Sequence, residues 1–200
     1  MAAGGTALFA FVESDLFIMS KIENTFNTPN LGVQWYFHMQ VFDRFRNYFA
    51  IMFFSLRYVL VLPLTIRLWR YPVELATTYW FVYAIFHPYP IVSDLMVALS
   101  LLLLSPRSLC RMDIPSLVSL CALPVPLILY VLDWYLWLDI GSGNANFIFF
   151  QCMAYNVFFT LLFIDFCGAT VRRDTALQLT VEYDGKSKPN DFVVTEKKNS

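Results

Sequence analysis

Long apolar stretches broken by short polar interruptions fill the chain between residues 48 and 171. The first, residues 48–66, reads YFAIMFFSLRYVLVLPLTI and has the roughly 20 residues that a bilayer core of about 30 Å requires. Arg57 lies in its middle and predicts a face turned to protein, water or a lipid headgroup. Pro63 predicts a kink near its end. Residues 73–104 would make a helix of about 48 Å, too long for the core. The HPYP break at 87–90 predicts a turn between two short helices instead, either a crossing hairpin or a re-entrant one. A fourth stretch covers 114–132 and carries Pro115, Pro124 and Pro126; a fifth, 146–168, is interrupted only by Asp165. The preceding WYFHMQVFDRFRNYF, residues 35–49, has the amphipathic character of an interfacial helix.

The chain therefore divides into a lumenal or interfacial amphipathic segment (1–47), a transmembrane helical region of about five segments with a short hairpin at 73–104 (48–171), and a cytosolic tail (172–200). In the tail, the alternation of TALQLTVEYDGK predicts a short strand before a turn at Asp184 and Gly185. Arginines orient the segments. Arg67 and Arg70 follow the first, Arg107 and Arg111 the third, and Arg172 and Arg173 the fifth, with no lysine or arginine between 71 and 106 or between 112 and 171. If 73–104 is a hairpin, all six fall on one side, which the positive-inside rule makes cytoplasmic. The HPYP turn and the GSGNAN loop at 141–146 then face the lumenal or external side.

Composition supports a membrane class. Hydrophobic residues make up 58% of the chain and charged residues 14%, against about 25% charged in soluble domains. The net charge of −1 leaves no basic footprint for nucleic acid. The cysteines, Cys110, Cys121, Cys152 and Cys167, show no C-x-x-C spacing and read as free thiols. With histidine only at positions 38 and 87, neither a metal site nor a cofactor is expected. The terminal KKNS places Lys197 and Lys198 as in a dilysine retrieval signal of the endoplasmic reticulum, an address rather than an anchor.

Catalytic motifs are absent: there is no P-loop, H-E-x-x-H or G-x-S-x-G. GSGNAN begins like a dinucleotide fingerprint but has Asn146 where the third glycine belongs. Two readings remain. Asn144 or Asn146 caps the following helix, or the loop and the positive helix end receive an anion or a sugar. Arg57 and Asp165 are the intramembrane charges; Asp165 is expected to meet an arginine, either Arg57 or the 172–173 pair.

Five blocks in order, TPNLGVQWYF (28–37), LPLTIRLWRYP (62–72), YPIVSD (89–94), GSGNANF (141–147) and the arginine pair 172–173, resemble the C-terminal half of the phosphatidylinositol-glycan class U family. The resemblance covers roughly residues 25–182. It implies an all-α, polytopic integral membrane helix bundle, the C-terminal part of a GT-C mannosyltransferase-like membrane fold. It also implies a non-catalytic subunit of the GPI transamidase of the endoplasmic reticulum membrane. Such a subunit presents the GPI glycolipid and scaffolds partners, among them a caspase-like subunit that carries the catalytic cysteine. The family's asparagine pair falls on Asn144 and Asn146, with Ser142 beside them, at the GPI headgroup. Gly143 and Ala145 stand at variable positions and are expected to loosen or shrink the loop. The alternative is a GT-C-type glycosyltransferase of GPI biosynthesis, whose early acidic loop the chain lacks.

Overall fold

Prolines and glycines punctuate the helices. The computed structural model describes residues 29–187, which are helical with no strand among them. Helix α1 spans Gln34–Gln40 and α2 Asp43–Leu68. A tight link leads to α3, Pro72–Phe86, and the HPYP turn to α4, Val92–Leu103. A one-turn α5, Pro106–Leu109, precedes α6, Ile114–Ala122, and α7, Pro124–Trp134. A π-helical turn, Tyr135–Asp139, extends α7, and α8 runs Ala145–Ser187. Pro72, Pro106, Pro115 and Pro124 each stand in the first turn of a helix, where a missing N–H costs nothing. Pro63 alone lies well inside one.

Three of these elements are long and apolar enough to cross a membrane: Arg44–Leu68, Ile114–Asp139 and Ala145–Leu179. Helices α3 and α4 are shorter, about 22 and 18 Å at 1.5 Å per residue, and fold back on each other. Asp94 closes the turn by accepting from the Ile91 N–H at 2.9 Å, and the Trp80 indole donates to the Asp94 carbonyl at 3.0 Å. Phe81, in mid-α3, packs against Phe159, Phe163 and Phe166 of α8 at ring separations of 5.0, 5.7 and 6.4 Å. This ladder, with Leu95, Ala98 and Leu102 of α4, forms the main core.

The two ends of the bundle differ in chemistry. One gathers residues 30–38, the hairpin tip and the glycine loop. There Asn30 donates to the Pro88 carbonyl at 3.3 Å and Gln34 to the Phe86 carbonyl at 2.9 Å. The Cys152 thiol donates to the Asn30 carbonyl at 3.1 Å. The other end gathers arginines: Arg67 meets Asp174 at 2.7 Å, Arg172 reaches the Arg111 carbonyl at 3.0 Å, and Arg173 pairs with Glu74. Cys152 and Arg173 lie roughly 30 Å apart along α8.

Several expectations change. The stretch 35–49 is not one interfacial helix, because the chain breaks at Val41 and Phe42. Helix α1 turns Gln34, Trp35 and His38 into the protein. Burial pushes the His38 imidazole below its usual range, and its neutral Nδ1–H donates to the Gln34 carbonyl at 2.8 Å. Helix α2, which carries the first span, begins five residues earlier than 48, at Asp43. The predicted strand in TALQLTVEYDGK is helix, an uninterrupted continuation of α8 through Ser187, and the 171/172 boundary falls inside it. Contacts four residues apart favour the helix there: Gln178 donates to Asp174 at 3.2 Å and Thr175 to the Val171 carbonyl at 3.1 Å. Lys197 and Lys198 lie outside the described residues, as does the segment before residue 29.

Candidate functional site

The 141–146 loop is built to stop one helix and start another. The Ile140 N–H returns to the Tyr135 carbonyl at 3.2 Å, and the Ser142 and Gly143 N–H groups both reach the Leu136 carbonyl, at 3.0 and 3.2 Å. This closure needs a left-handed residue, and Gly141 supplies it with φ +73°. Gly143 answers a different need. A Cβ there would sit 2.9 Å from the backbone N and Cα of Trp137. Both glycines thus serve helix termination, and Gly143 tightens the loop rather than loosening it. Gly143→Ala is expected to cost about 1–3 kcal/mol through overpacking against backbone. A wild-type unfolding midpoint for that variant in detergent would show that the contact yields.

Asn144 is the cap. Its Oδ1 accepts from the Asn146 N–H at 3.0 Å, satisfying one open donor at the start of α8. Asn146 uses its own Oδ1 to accept from the Tyr36 hydroxyl at 2.7 Å. The Tyr36 ring stacks on Phe149, with centroids 4.0 Å apart. Each amide therefore commits its oxygen to the fold and keeps its NH2 on the exposed side, with no acceptor among the described residues. The predicted trio is split. Ser142 and Asn144 line a groove of about 260 Å³ with Asp133, Leu136, Gly143 and Phe147, whereas Asn146 lies outside that lining, on the Tyr36 side.

Sequence reasoning gave Tyr36 no role at this site. The only available signal was its place in the TPNLGVQWYF block, which cannot announce a contact 110 positions away. Asp133 joins the groove from the last turn of α7, just before the π-helical turn.

Arg57 and Asp165 are not brought together. Arg57 is buried in α2, with its guanidinium carbon 4.7 Å over the Phe54 ring. Asp165 belongs to the arginine end. Arg172 contacts it at 3.1 Å, and it accepts from the Asp113 N–H at 2.8 Å and from the Ser116 hydroxyl. Of the two partners considered, the 172–173 pair is the one found, and the carboxylate steadies the start of α6. The cysteines are free thiols, and no cluster of metal-ligating residues occurs among the described residues.

A family model described as "GPI transamidase subunit PIG-U" matches residues 4–155. The chain belongs to the PIG-U family. The match begins earlier than residue 25 and includes Ser142, Asn144 and Asn146, but it ends before the arginine pair. Among curated PIG-U relatives, the Schizosaccharomyces pombe GPI transamidase component GAB1 homolog is 33% identical over 74% of this chain and 36% of its own length. The human GPI-anchor transamidase component PIGU is 31% identical over 74% of this chain and 34% of its own. The Saccharomyces cerevisiae GPI transamidase component GAB1 is 28% identical over 78% and 37%. The chain thus spans about a third of the length of the curated relatives it matches. Those relatives are named as transamidase components, which does not favour the glycosyltransferase alternative.

Proposed function

We propose that this PIG-U chain is a non-catalytic membrane subunit of a GPI transamidase that holds the GPI glycolipid by its headgroup. The observation that carries the reading is the pair of outward NH2 groups on Asn144 and Asn146 at the start of α8, beside the groove lined by Ser142. Amide N–H and hydroxyl groups donate to phosphate and sugar oxygens, and the helix N-terminus adds partial positive charge. Asp133 is the one acidic or basic side chain in the groove lining, so the lining holds no acid–base pair, in keeping with a binding role. On this reading the loop is lumenal, the arginine end and the 172–200 tail are cytosolic, and Lys197 and Lys198 return the protein to the endoplasmic reticulum membrane. Its partners are the other transamidase subunits, including a caspase-like catalytic one.

A cap without a ligand is separable from a headgroup site. Asn144→Asp keeps the capping oxygen and replaces the NH2 donor with an oxygen that repels phosphate. In the full-length protein it is expected to leave stability and complex assembly near wild type while lowering cell-surface GPI-anchored proteins several-fold. Asn144→Ala additionally removes the cap, at about 1 kcal/mol. Normal anchoring in Asn144→Asp combined with Asn146→Ala, assembly being intact, would sink the headgroup role.

A further inference from the structure

At the end of the bundle opposite the glycine loop, four carboxylates among the described residues already have partners. Asp174 takes Arg67 at 2.7 Å, Asp113 and Asp165 share Arg172 at 3.1 Å each, and Glu74 takes Arg173. Arg70, Arg107 and Arg111 are exposed at this same end and have no carboxylate partner among the described residues. Contacts of α8 hold them there. Arg70 precedes Tyr71, whose ring lies 4.6 Å from the Arg173 guanidinium carbon. Arg107 precedes Ser108, whose hydroxyl accepts from Arg173 at 3.0 Å. The Arg111 carbonyl accepts from Arg172 at 3.0 Å. Large apolar side chains share the rim: Trp69 is 62% exposed, Leu103 69% and Leu104 66%.

We propose that Arg70, Arg107 and Arg111 form a docking surface for the phosphate-bearing headgroups of anionic phospholipids. Guanidinium groups bind phosphate oxygens bidentately, and the phosphodiester is the common acceptor of these headgroups. The exposed apolar residues decide between a lipid and a soluble acidic partner. Trp69, Leu103 and Leu104 sit where an acyl boundary would cover them, and tryptophan favours that depth. Pairing also divides the labour: Arg67, Arg172 and Arg173 are tied to carboxylates that hold helices together, whereas Arg70, whose guanidinium carbon lies 5.6 Å from the Trp69 ring, Arg107 and Arg111 have no carboxylate to hold among the described residues and are available to ligand. The surface is independent of the headgroup reading at the opposite end.

The test uses the full chain in neutral detergent, with unfolding midpoints followed as phosphatidylserine or phosphatidylcholine is added. Phosphatidylserine is expected to raise the midpoint and phosphatidylcholine to leave it nearly unchanged, since a ligand of the folded state stabilises by mass action. The triple variant R70Q/R107Q/R111Q should keep the wild-type midpoint without lipid and bind phosphatidylserine on the order of a hundredfold more weakly. Arg44→Gln, at the far end of α2, should respond as wild type. Equal stabilisation by both lipids, an undiminished response in the triple variant, or the same shift from soluble inositol hexakisphosphate would overturn the proposal. Should the triple variant misfold, native mass spectrometry of the wild-type chain decides the matter. Selective retention of phosphatidylserine over phosphatidylcholine supports the surface, and equal retention refutes it.

Discussion

Arg173→Ala is expected to destabilise the bundle by about 3–5 kcal/mol, the cost of stranding one partner of a buried ion pair. The Arg173 and Glu74 side chains are only 11% and 10% exposed, so removing the guanidinium leaves a carboxylate with little access to water. It also removes the hydrogen bond to Ser108 at 3.0 Å and the stacking on Tyr71. These three contacts join α8 to α5, to the start of α3 and to the link before it, so the loss falls on the base of the hairpin. Glu74→Gln should be milder, because the amide still accepts from Arg173 while the unpaired charge keeps Ser108 and the Tyr71 face. The double variant Glu74→Leu with Arg173→Met separates charge from packing. Replacing both charges with apolar groups of similar size is often neutral or stabilising. Unfolding in detergent should therefore find the double variant closer to wild type than Arg173→Ala, with a coupling energy of up to about 3 kcal/mol. Equal losses in the two variants would mean that packing alone, and not the pair, holds this joint.

Trp35→Ala should cost a comparable amount, about 3–5 kcal/mol. Trp35 is fully buried among Ile148, Cys152 and the neighbouring Tyr36 and Trp137 rings. Tyr36 meets it edge-on at 5.7 Å, and Trp137 lies tilted at 6.4 Å. Removing the indole opens a cavity that the surrounding helices close only partly, and dispersion contacts on every side are lost. The effect should reach the loop, because Trp137 is also the residue whose backbone packs against Gly143. Trp134, 43% exposed, is the control, and its replacement by alanine should stay within about 0.5 kcal/mol. Trp35→Ala behaving like Trp134→Ala would restore the interfacial reading of the 35–49 stretch.

The contrast between those tryptophans shows where sequence reasoning loses its grip. In a soluble helix, apolar spacing marks the buried face, because the other face meets water. In a membrane both faces are apolar and packing has no hydrophobic contrast to follow. Phe81 is fully buried, whereas Phe150 is 66% exposed and Leu62 is also 66% exposed, and nothing local distinguishes them. Charged and polar residues behaved better. The arginines after residues 66, 104 and 171 do collect at one end, because each closes an apolar run and the hairpin returns the chain. The asparagine cap was equally legible, since Asn144 acts on an N–H only two residues away.

Partner choice was legible only as far as it was local. Arg172 lies two helical turns beyond Asp165 on α8 and could be named as one of two partners. The remaining contacts of Asp165, with Asp113 and Ser116, cross about 50 positions and depend on how α6 meets α8. The misread strand at TALQLTVEYDGK has a related cause. Alternation over a few residues imitates a strand, but a helix already running from Ala145 propagates more readily than a new element nucleates.

Taken alone, the sequence determined that the chain is a helical membrane protein of the PIG-U family, that the six arginines after residue 66 share one end if 73–104 is a hairpin, and that the loop opens a helix. Those properties rest on composition, ordered motifs and short-range hydrogen bonds, all written within a few residues. The tertiary structure decided which apolar side chains are buried, which carboxylate takes which arginine, and that Tyr36 holds Asn146 while Ser142 and Asn144 line the groove. Such choices join positions as many as 110 residues apart, and only the packing of helices past one another brings those side chains within reach.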